Sequence, residues 1–535
     1  MDLPAVTDAP SPRRRSIFTL ALALLLAAAC GTSAAPSGSI GDPSSSPSIT
    51  PAADTRSPLI PVAGYRSTLT ALTSGGIARL AEVGGTIPIT KLVLISAEAT
   101  PILAALGLSA TAIASRLSLV ADRTALKAAL AADEKAAGFV RLAAIEPALR
   151  TLTWEGAAIV GVNHIATLAE WPLRAELPPD TSIPAEWISG PQAYDPATAW
   201  TLAAGADILL DRGVSADAKR STRGADSLFD GGFADITGTT CCSQFGVPRV
   251  AARYVRDGGV NGLMRSLFQN ADLSIANLES PTPKKWRQHN SGTTFTGNPA
   301  LLRVLKEAGI DFLSLANNHI GDGGVSRIPE TIAAVKAAGM GSGGAGANLA
   351  EAQRPWLTNV GGVTVGIVAV DQVNPSTHAR VDRAGSAPIG VLEMRASISA
   401  ARAAGADVVI VFPHWGLEFQ AHPTASQRRF AKRAIEAGAD MILGSHSHWA
   451  SAMEIINDKP VFYSMGNFIF DQNWSVETAQ GLVIESTFAG SRLVSTRMLP
   501  TVILRQSQPN FVDVATDGVP IMNRVWKGSK GLPRW

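Results

Sequence analysis

Five short apolar runs in this chain each end on polar side chains of the types that bind metal ions. Such a run, bounded by turn residues, predicts a buried strand, and ligands of open α/β folds collect at the carboxyl ends of strands. Four of the eight histidines of the chain fall in this set. The pattern therefore predicts a metal site. Its members are Asp207, Asn277, Glu279, Asn317, Asn318, His319, His414, His446 and His448.

Residues 199–499 alternate such strands with amphipathic helical runs. Four of these runs close on Ala-Gly, at Gly309, Gly339, Gly405 and Gly438, where glycine supplies the left-handed cap. In three of them a strand pattern follows almost at once. The alternation predicts a layered α/β domain. Residues 500–535 are expected to be a C-terminal extension packed on that domain.

The N-terminal 30 residues have the pattern of a lipoprotein signal peptide. Three arginines, 13–15, precede an apolar stretch at 17–29, which is too short to span a membrane comfortably. The segment LLAAAC-G resembles a bacterial lipobox, which predicts lipidation of Cys30. A simple secretory signal cut near the same place is the alternative. Residues 31–57, rich in Ser, Pro and Ala, predict a flexible tether.

Residues 59–189 predict a smaller α/β domain whose role the sequence does not assign. We expect strands at 91–99 and 156–162, a helical segment across 122–145 and a proline-rich linker at 172–195. A weak resemblance to one lobe of solute-binding lipoproteins leaves ligand capture by this domain as a further alternative.

Composition excludes one class of partner. The formal net charge is +2, aromatic residues make up 6% of the chain, and no basic stripe is present, so we expect no nucleic-acid partner. The adjacent Cys241 and Cys242 are compatible with a disulfide-closed turn or with two free thiols.

The four histidines outside the strand-end set are expected to have no function. His164 has no ligand-type residue near it in sequence, so we expect a buried histidine with satisfied hydrogen bonds. His289, His378 and His422 lie in polar segments and are expected to be solvated.

Several segments together resemble one known family. They are ADILLDRGV, DLSIANLESP, LANNHIGDGG, GAGANLAEAQRP, VIVFPHWGLEF, AGADMILGSHSH and VFYSMGNFIFD, within residues 199–485. In order and spacing the chain resembles the CapA-type capsule-synthesis proteins, which are associated with poly-γ-glutamate capsules. Their domain is related to calcineurin-like metallophosphoesterases. The resemblance implies a four-layer αββα sandwich with a metal site at one edge.

The resemblance also implies roles for the strand-end residues. Asn318 and His448 match metal ligands, and His414 and His446 match ligands of a second metal, with Asp207 at the first strand end. Carboxamide and imidazole groups suit manganese, iron or zinc better than calcium. Such ions polarise phosphoryl or carbonyl oxygens and lower the pKa of water.

The chain departs from the phosphoesterase pattern in the first metal site. Leu209 stands where those enzymes carry an imidazole, and their bridging aspartate has no direct counterpart, so Asn277 or Glu279 must replace it. One divalent ion or a weakly held pair is therefore expected.

Three residues are predicted to act on the substrate. His319 matches the acid or transition-state donor of the family, and Asp322 is expected to orient it or to be an ordinary turn residue. Arg212 is expected to face an anionic substrate or to be a surface arginine.

The sequence leaves two function classes open. In the first, a lipid-anchored extracytoplasmic protein hydrolyses or transfers an envelope polymer or phosphoester through its metal site. In the second, a catalytically inactive metallophosphatase-like scaffold binds the polymer. In both classes we expect the protein to contact the membrane through its lipid and to contact other capsule-synthesis proteins.

Overall fold

The computed structural model describes residues 56–82, 89–241, 248–256 and 262–535. The first 55 residues, with Cys30 and nearly all of the expected tether, lie outside them. The small domain contains strands β1 (Ser57–Gly64), β2 (Ala71–Leu72), β3 (Lys91–Ile95), β4 (Leu117–Val120), β5 (Ala136–Arg141), β6 (Leu149–Thr151), β7 (Thr153–Trp154) and β8 (Arg174–Ala175). Its helices are α1 (Ser74–Ala78), α2 (Ala99–Ala105), α3 (Arg123–Ala132) and α4 (Ala185–Ile188).

The small domain is built on one mixed sheet with the order β4-β3-β5-β1-β6, and β8 pairs with β1. The expected helical segment ends at Ala132, and residues 136–141 form the central strand β5 instead. A Cβ at Gly138 would lie 2.6 Å from the Val93 carbonyl oxygen, so tertiary packing overrides the alanine-rich helical pattern here. Residues 156–162 form no strand, and the proline-rich segment buries Leu173 and Tyr194 in the core of this domain.

The second region supplies eighteen strands and eight helices within the described residues. Its strands are β9 (Trp200–Ile208), β10 (Phe233–Thr240), β11 (Arg249–Arg256), β12 (Leu273–Leu278), β13 (Phe312–Ser314), β14 (Gly341–Gly343), β15 (Ala345–Gly346), β16 (Trp356–Val360), β17 (Val363–Asp371), β18 (Gly385–Ser386), β19 (Val408–His414), β20 (Met441–Leu443), β21 (Met453–Ile456), β22 (Lys459–Phe462), β23 (Asn467–Ile469), β24 (Gln480–Ala489), β25 (Arg492–Leu504) and β26 (Gln508–Phe511). Its helices are α5 (Arg212–Arg220), α6 (Leu263–Asn270), α7 (Leu302–Glu307), α8 (Ile328–Ala337), α9 (Leu349–Ala352), α10 (Val391–Ala403), α11 (Ala425–Glu436) and α12 (Val519–Gly528).

Two sheets face each other in this region. One has the order β11-β10-β26-β25-β24-β9-β12-β13-β14 with β23 beside β9, and the other has the order β16-β17-β19-β20-β22-β21. Alternate residues face opposite sides: Leu202 and Ile410 pack between the sheets, whereas Ala203 packs towards α5, α6 and α7, and Val409 towards α10 and α11. The expected four-layer αββα sandwich is therefore confirmed.

The expected boundary at 499/500 falls inside β25. Residues on both sides of it pair with β24, and β26 continues the same sheet, so 500–511 are part of the domain's sheet. Cys241 is disulfide-bonded, while Cys242 lies outside the described residues. No helix of the described part is long and apolar enough to cross a membrane.

Buried polar contacts join the small domain to β24 and β25. The Val162 amide donates to Glu485 Oε1 at 2.9 Å, and within the larger sheet Arg497 Nε holds the other oxygen of the same carboxylate, Oε2, at 2.6 Å. Arg492 donates to the carbonyl oxygens of Ile145 and Gln192 at 3.0 and 2.9 Å. These bonds fix the small domain against the larger sheet.

Candidate metal centre

All five predicted strands form, and their carboxyl ends meet at one edge of the two sheets. Strands β9, β12 and β13 are parallel neighbours in the larger sheet, and Asp207 lies opposite Asn277 in that register. Strands β19 and β20 are parallel neighbours in the smaller sheet. The contacts described below join the two groups of strand ends, so the cluster spans both sheets.

Four potential ligand atoms converge around the His414 ring. His414 Nε2 lies 2.7 Å from Asn318 Oδ1, 3.1 Å from His446 Nδ1 and 3.5 Å from Glu279 Oε1. His414 is 1% exposed. Atoms of this kind, buried and pointed at one another, form the geometry of a metal site more readily than that of a hydrogen-bonded core.

Glu279 belongs to two candidate ligand groups. One group is Glu279, His414 and His446, and the other is Asp207, Glu279 and His448. His448 Nδ1 lies 3.7 Å from Asp207 Oδ2, and His448 Nε2 lies 3.8 Å from Glu279 Oε1. Of the two residues that the sequence offered in place of the bridging aspartate, Glu279 has the geometry for that position.

The Glu279 carboxyl is fully buried, and its oxygens accept from no donor group of the described residues; within that part of the chain its hydrogen-bond partner is the Asp207 carboxyl. An unsatisfied buried carboxyl costs several kcal/mol as an isolated anion, so native proteins pair such groups or give them to metals. The donor set around it contains carboxylate, carboxamide and imidazole groups, which are ligands of divalent transition metals. The residues therefore fit such an ion.

Burial shifts the pKa values of the cluster towards its uncharged forms, with the carboxyl pKa values raised and the imidazole pKa values lowered. Burial and the nearby charge of Asp207 raise the pKa of Glu279 well above its usual value. Burial raises the pKa of Asp207 to about 7. Burial also lowers the pKa of His446 to about 4 and that of His448 to about 3. Neutral imidazoles are the form that binds metals.

The two histidines that follow β20 occupy unusual backbone conformations. His446 has a φ of 90° and His448 a φ of 57°. Residues other than glycine in this region store strain, which clusters at functional sites. The His446 amide also donates to Asp207 Oδ2 at 3.2 Å. The conformation brings both imidazoles to the cluster from one three-residue segment.

Two asparagines build the floor of the cluster. Asn277 Nδ2 donates to Asp207 Oδ1 at 2.8 Å, and Asn277 Oδ1 accepts from Asn317 Nδ2 at 3.1 Å. Both amide atoms of Asn277 are thus engaged by protein partners, which suits orientation of Asp207 more than direct ligation. Asn318, by contrast, points its Oδ1 to His414 Nε2.

Sequence reasoning gave no role to two residues that orient the imidazoles. His448 Nδ1 donates to Asn467 Oδ1 at 2.8 Å, and Asn467 Nδ2 donates to the Thr478 carbonyl oxygen, which fixes the amide orientation. Ser445 Oγ lies 2.9 Å from His414 Nδ1. Such outer partners set the tautomer of a ligand histidine. Membership of Asn467 in the segment YSMGNFIFD was the available signal.

His319 and Asp322 form a hydrogen-bonded pair beside the cluster. His319 Nδ1 lies 2.8 Å from Asp322 Oδ2, and the Phe295 amide donates to the same oxygen at 2.8 Å. The His319 ring packs on the Phe295 ring with centroids 4.3 Å apart. His319 lines an open pocket of about 330 Å³ together with Asn318 and His448.

Arg212 lines the same pocket with its charge already paired. Its guanidinium is 7% exposed, donates to the Gly292 carbonyl oxygen at 2.6 Å and forms a salt bridge with Asp471. It also lies 4.7 Å from the centre of the Phe295 ring. Its Nε is buried and has no hydrogen-bond partner in the described part of the chain. Arg212 is therefore a fixed part of the pocket wall and not a surface arginine.

Leu209 is a position at which the sequence departs from the phosphoesterase pattern. Leu209 is buried in an apolar cluster with Phe295, Phe470 and Ile503, so no polar group replaces the imidazole at this position.

His164 is satisfied as expected, with its ring nitrogens 2.7 and 2.9 Å from two carbonyl oxygens. The expectation for His289 is wrong: its side chain is 12% exposed and pairs with the buried Asp211, which draws the loop inwards. His378 is also largely buried, 3.5 Å from Asp371, whereas His422 is exposed.

The bacterial capsule synthesis protein PGA_cap family model matches residues 201–472. The chain is 32% identical over 224 residues to the capsule biosynthesis protein CapA of Bacillus anthracis, covering 40% of this chain and 54% of that protein. It is 32% identical over 221 residues to the PGA biosynthesis protein CapA of Bacillus subtilis (strain 168), covering 41% and 58%. The chain thus spans about half the length of these curated relatives.

Among solved structures, the chain is similar to a 5'-nucleotidase precursor from Thermus thermophilus, with a TM-score of 0.34 and 12% identity, over 62% of this chain and 58% of that one. The family-model match covers half of the sequence and includes every residue of the polar cluster at the strand ends. The chain belongs to the bacterial capsule synthesis PGA_cap family.

Proposed function

We propose that this chain acts in the synthesis or processing of an envelope polymer of the poly-γ-glutamate type, through a metal-dependent hydrolytic site at the sheet edge. The observation that carries the proposal is Glu279, a fully buried carboxyl that is shared by two ligand groups and whose hydrogen-bond partner among the described residues is another carboxyl, that of Asp207. The relatives are named for capsule and PGA biosynthesis. Phosphoester substrates are the other class that the metallophosphoesterase resemblance suggests.

In this proposal Asp207, Glu279, Asn318, His414, His446 and His448 hold one or two divalent ions of manganese, iron or zinc. A bound ion would supply Lewis-acid stabilisation of the negative charge that develops on the substrate. Asn277 and Asn467 hold Asp207 and His448 in place.

His319 is the proposed proton donor to the leaving group. Its Nδ1 faces Asp322, so the ring is held with Nε2 available to the pocket. Asp322 would orient the ring through this hydrogen bond, as a donor in proton transfer requires. Arg212 and Phe295 form the wall against which an anionic substrate would lie.

We further propose that Cys30 carries lipid and holds the folded domains outside the cytoplasmic membrane, next to other capsule-synthesis proteins. The lipobox-like segment supports this. Cys30→Ser should release the protein from the membrane fraction. A membrane-bound variant with an unmodified N-terminus would contradict the anchor.

One observation favours the alternative of an inactive scaffold. Leu209 fills the position of a missing imidazole with a buried apolar side chain. With leucine in place of that imidazole, the protein would still bind the polymer in the pocket but would not hydrolyse it.

His319→Ala distinguishes the two functions. Loss of such a donor typically costs roughly a hundredfold or more in rate. We expect the purified variant to retain its fold and metal content while losing hydrolysis of poly-γ-glutamate or of a phosphoester panel, and cells carrying it to lose polymer. The exposed His422→Ala is the matched control. Full polymer production by a folded His319→Ala protein would rule out the catalytic role and leave the scaffold.

A further inference from the structure

We propose that the open cleft between the small domain and the larger sheet binds a small organic monocarboxylate with an apolar group, and that Arg150 is its anion-binding residue. The cleft encloses about 400 Å³. The small domain contributes Thr70, Arg150 and Asn163, and the larger domain contributes α6 and the strands β25 and β26. This site is separate from the metal centre and does not depend on the proposed catalysis.

Arg150 has no counterion in the part of the chain that the structure describes. It lies on β6, its Nε is buried without a hydrogen-bond partner, and no ion pair reaches its guanidinium. Glu485, on strand β24, accepts from Val162 at one oxygen and from Arg497 at the other, and no ion pair joins it to Arg150 within the described residues. The Arg150 guanidinium therefore has no carboxylate bound to it within the described residues.

Keeping this charge unpaired is unfavourable. Burial and the charge of Arg497 lower the pKa of Arg150 to about 10, which still leaves the guanidinium charged at pH 7. A bound carboxylate would accept hydrogen bonds from two N–H groups of the planar Arg150 guanidinium. These bonds would offset both the burial of the charge and its repulsion from Arg497.

The walls of the cleft specify the rest of the ligand. Leu267, Met498, Phe511 and Val514 line it with apolar surface, and its volume lies in the range of small-ligand sites. Asp513 also lines the cleft, and its Oδ1 accepts from the Ala515 amide. The negative charge of Asp513 disfavours ligands that carry several negative charges. A ligand with one carboxylate and an apolar group therefore matches the cleft best.

Calorimetric titration of the purified full-length protein with octanoate tests the proposal. We expect saturable binding with a dissociation constant of about 1 mM or tighter, and binding of acetate that is at least about tenfold weaker because it lacks the apolar portion. Arg150→Met removes the charge and keeps the length of the side chain. It should weaken octanoate binding at least about tenfold. Arg395→Met, an exposed arginine on α10, should leave binding unchanged.

Arg150→Met is expected to fold, because it removes an unpaired and partly buried charge, and its melting temperature checks this. Equal octanoate binding by Arg150→Met and the wild-type protein would overturn the proposal, and so would the absence of saturable binding to the wild-type protein. Hydrolytic activity of the metal centre is not a readout, so failure here leaves the proposed function untouched.

Discussion

At the residue scale, the site depends on atoms whose partners lie far away in sequence. Asp207 accepts from the backbone of His446, 239 residues later. The sequence predicted which residues carry metal-type side chains, because strand ends and histidines are visible in a single chain. It could not choose between Asn277 and Glu279, because the choice depends on side-chain direction. In the structure, the Asn277 amide donates to Asp207 and accepts from Asn317, whereas Glu279 accepts from no donor group of the described residues and pairs with the Asp207 carboxyl.

Glu279→Gln should abolish metal binding while the metal-free protein remains folded. Glutamine keeps the size of the side chain but removes the negative charge of the carboxylate. Burial raises the pKa of Glu279. At a pH above the ordinary pKa of glutamate, the ionised carboxylate therefore destabilises the metal-free fold. Glutamine removes this effect, so the metal-free variant should be no less stable at pH 7 than the metal-free wild-type protein. Melting temperatures with and without a chelator measure this.

In the wild-type protein the chelator should lower the melting temperature, since bound metal stabilises the folded state. In Glu279→Gln the two melting temperatures should coincide. The exposed Glu186→Gln is the control and should keep the sensitivity. Full metal content in Glu279→Gln would show that the carboxyl is not a ligand.

Asn467→Ala should weaken metal binding by about 10- to 100-fold, because His448 loses the acceptor that fixes its tautomer. Asn467→Asp keeps an acceptor for His448 Nδ1 and should recover most of the affinity. Competition titration with a metal indicator gives the affinities. If both variants bound metal equally weakly, the amide would act through its bond to Thr478 and not through His448.

At the element scale, prediction succeeded where local chemistry determines the element. The four Ala-Gly endings all cap helices, with Gly309, Gly339, Gly405 and Gly438 at positive φ. Prediction failed at 136–141, where an alanine-rich helical pattern forms the central strand β5 between β1 and β3. Glycine fits at 138 because an added Cβ would lie 2.6 Å from the Val93 carbonyl oxygen. Such crowding is a tertiary property that a local pattern does not contain.

Gly438→Ala should cost about 1 kcal/mol of unfolding free energy through backbone strain alone. Gly438 has a φ of 106°, and the nearest atom to an added Cβ lies 3.7 Å away, so no clash contributes. Gly75→Ala within α1 is the matched control, with no described atom within 4 Å and no positive φ. It should be neutral or slightly stabilising. Denaturant unfolding measures both, and equal effects would contradict the capping role.

At the scale of the whole molecule, two separately predicted domains behave as one packed unit. The sequence divided them at a proline-rich segment, yet that segment buries side chains in the small domain. The seam itself was not predictable, because Val162 and Glu485 are 323 residues apart. The candidate ligand residues Asp207 and Glu279 lie at the ends of β9 and β12, while the seam is built on β24 and β25, and β24 pairs directly with β9. One sheet thus carries both part of the candidate metal centre and the attachment of the small domain.

Glu485→Ala should loosen the small domain without affecting the metal centre. The change leaves the Arg497 guanidinium and the Val162 amide without their acceptor, at a cost of about 2 kcal/mol after allowance for the partly exposed arginine. We expect calorimetry to show a separate, earlier transition for the small domain, and metal content to stay at the wild-type level. Glu186→Ala, an exposed change in the small domain, should keep the wild-type transition. A single unchanged transition in Glu485→Ala would mean that apolar packing, including Ala489 and Val494 in the core of the small domain, holds the seam without this carboxylate.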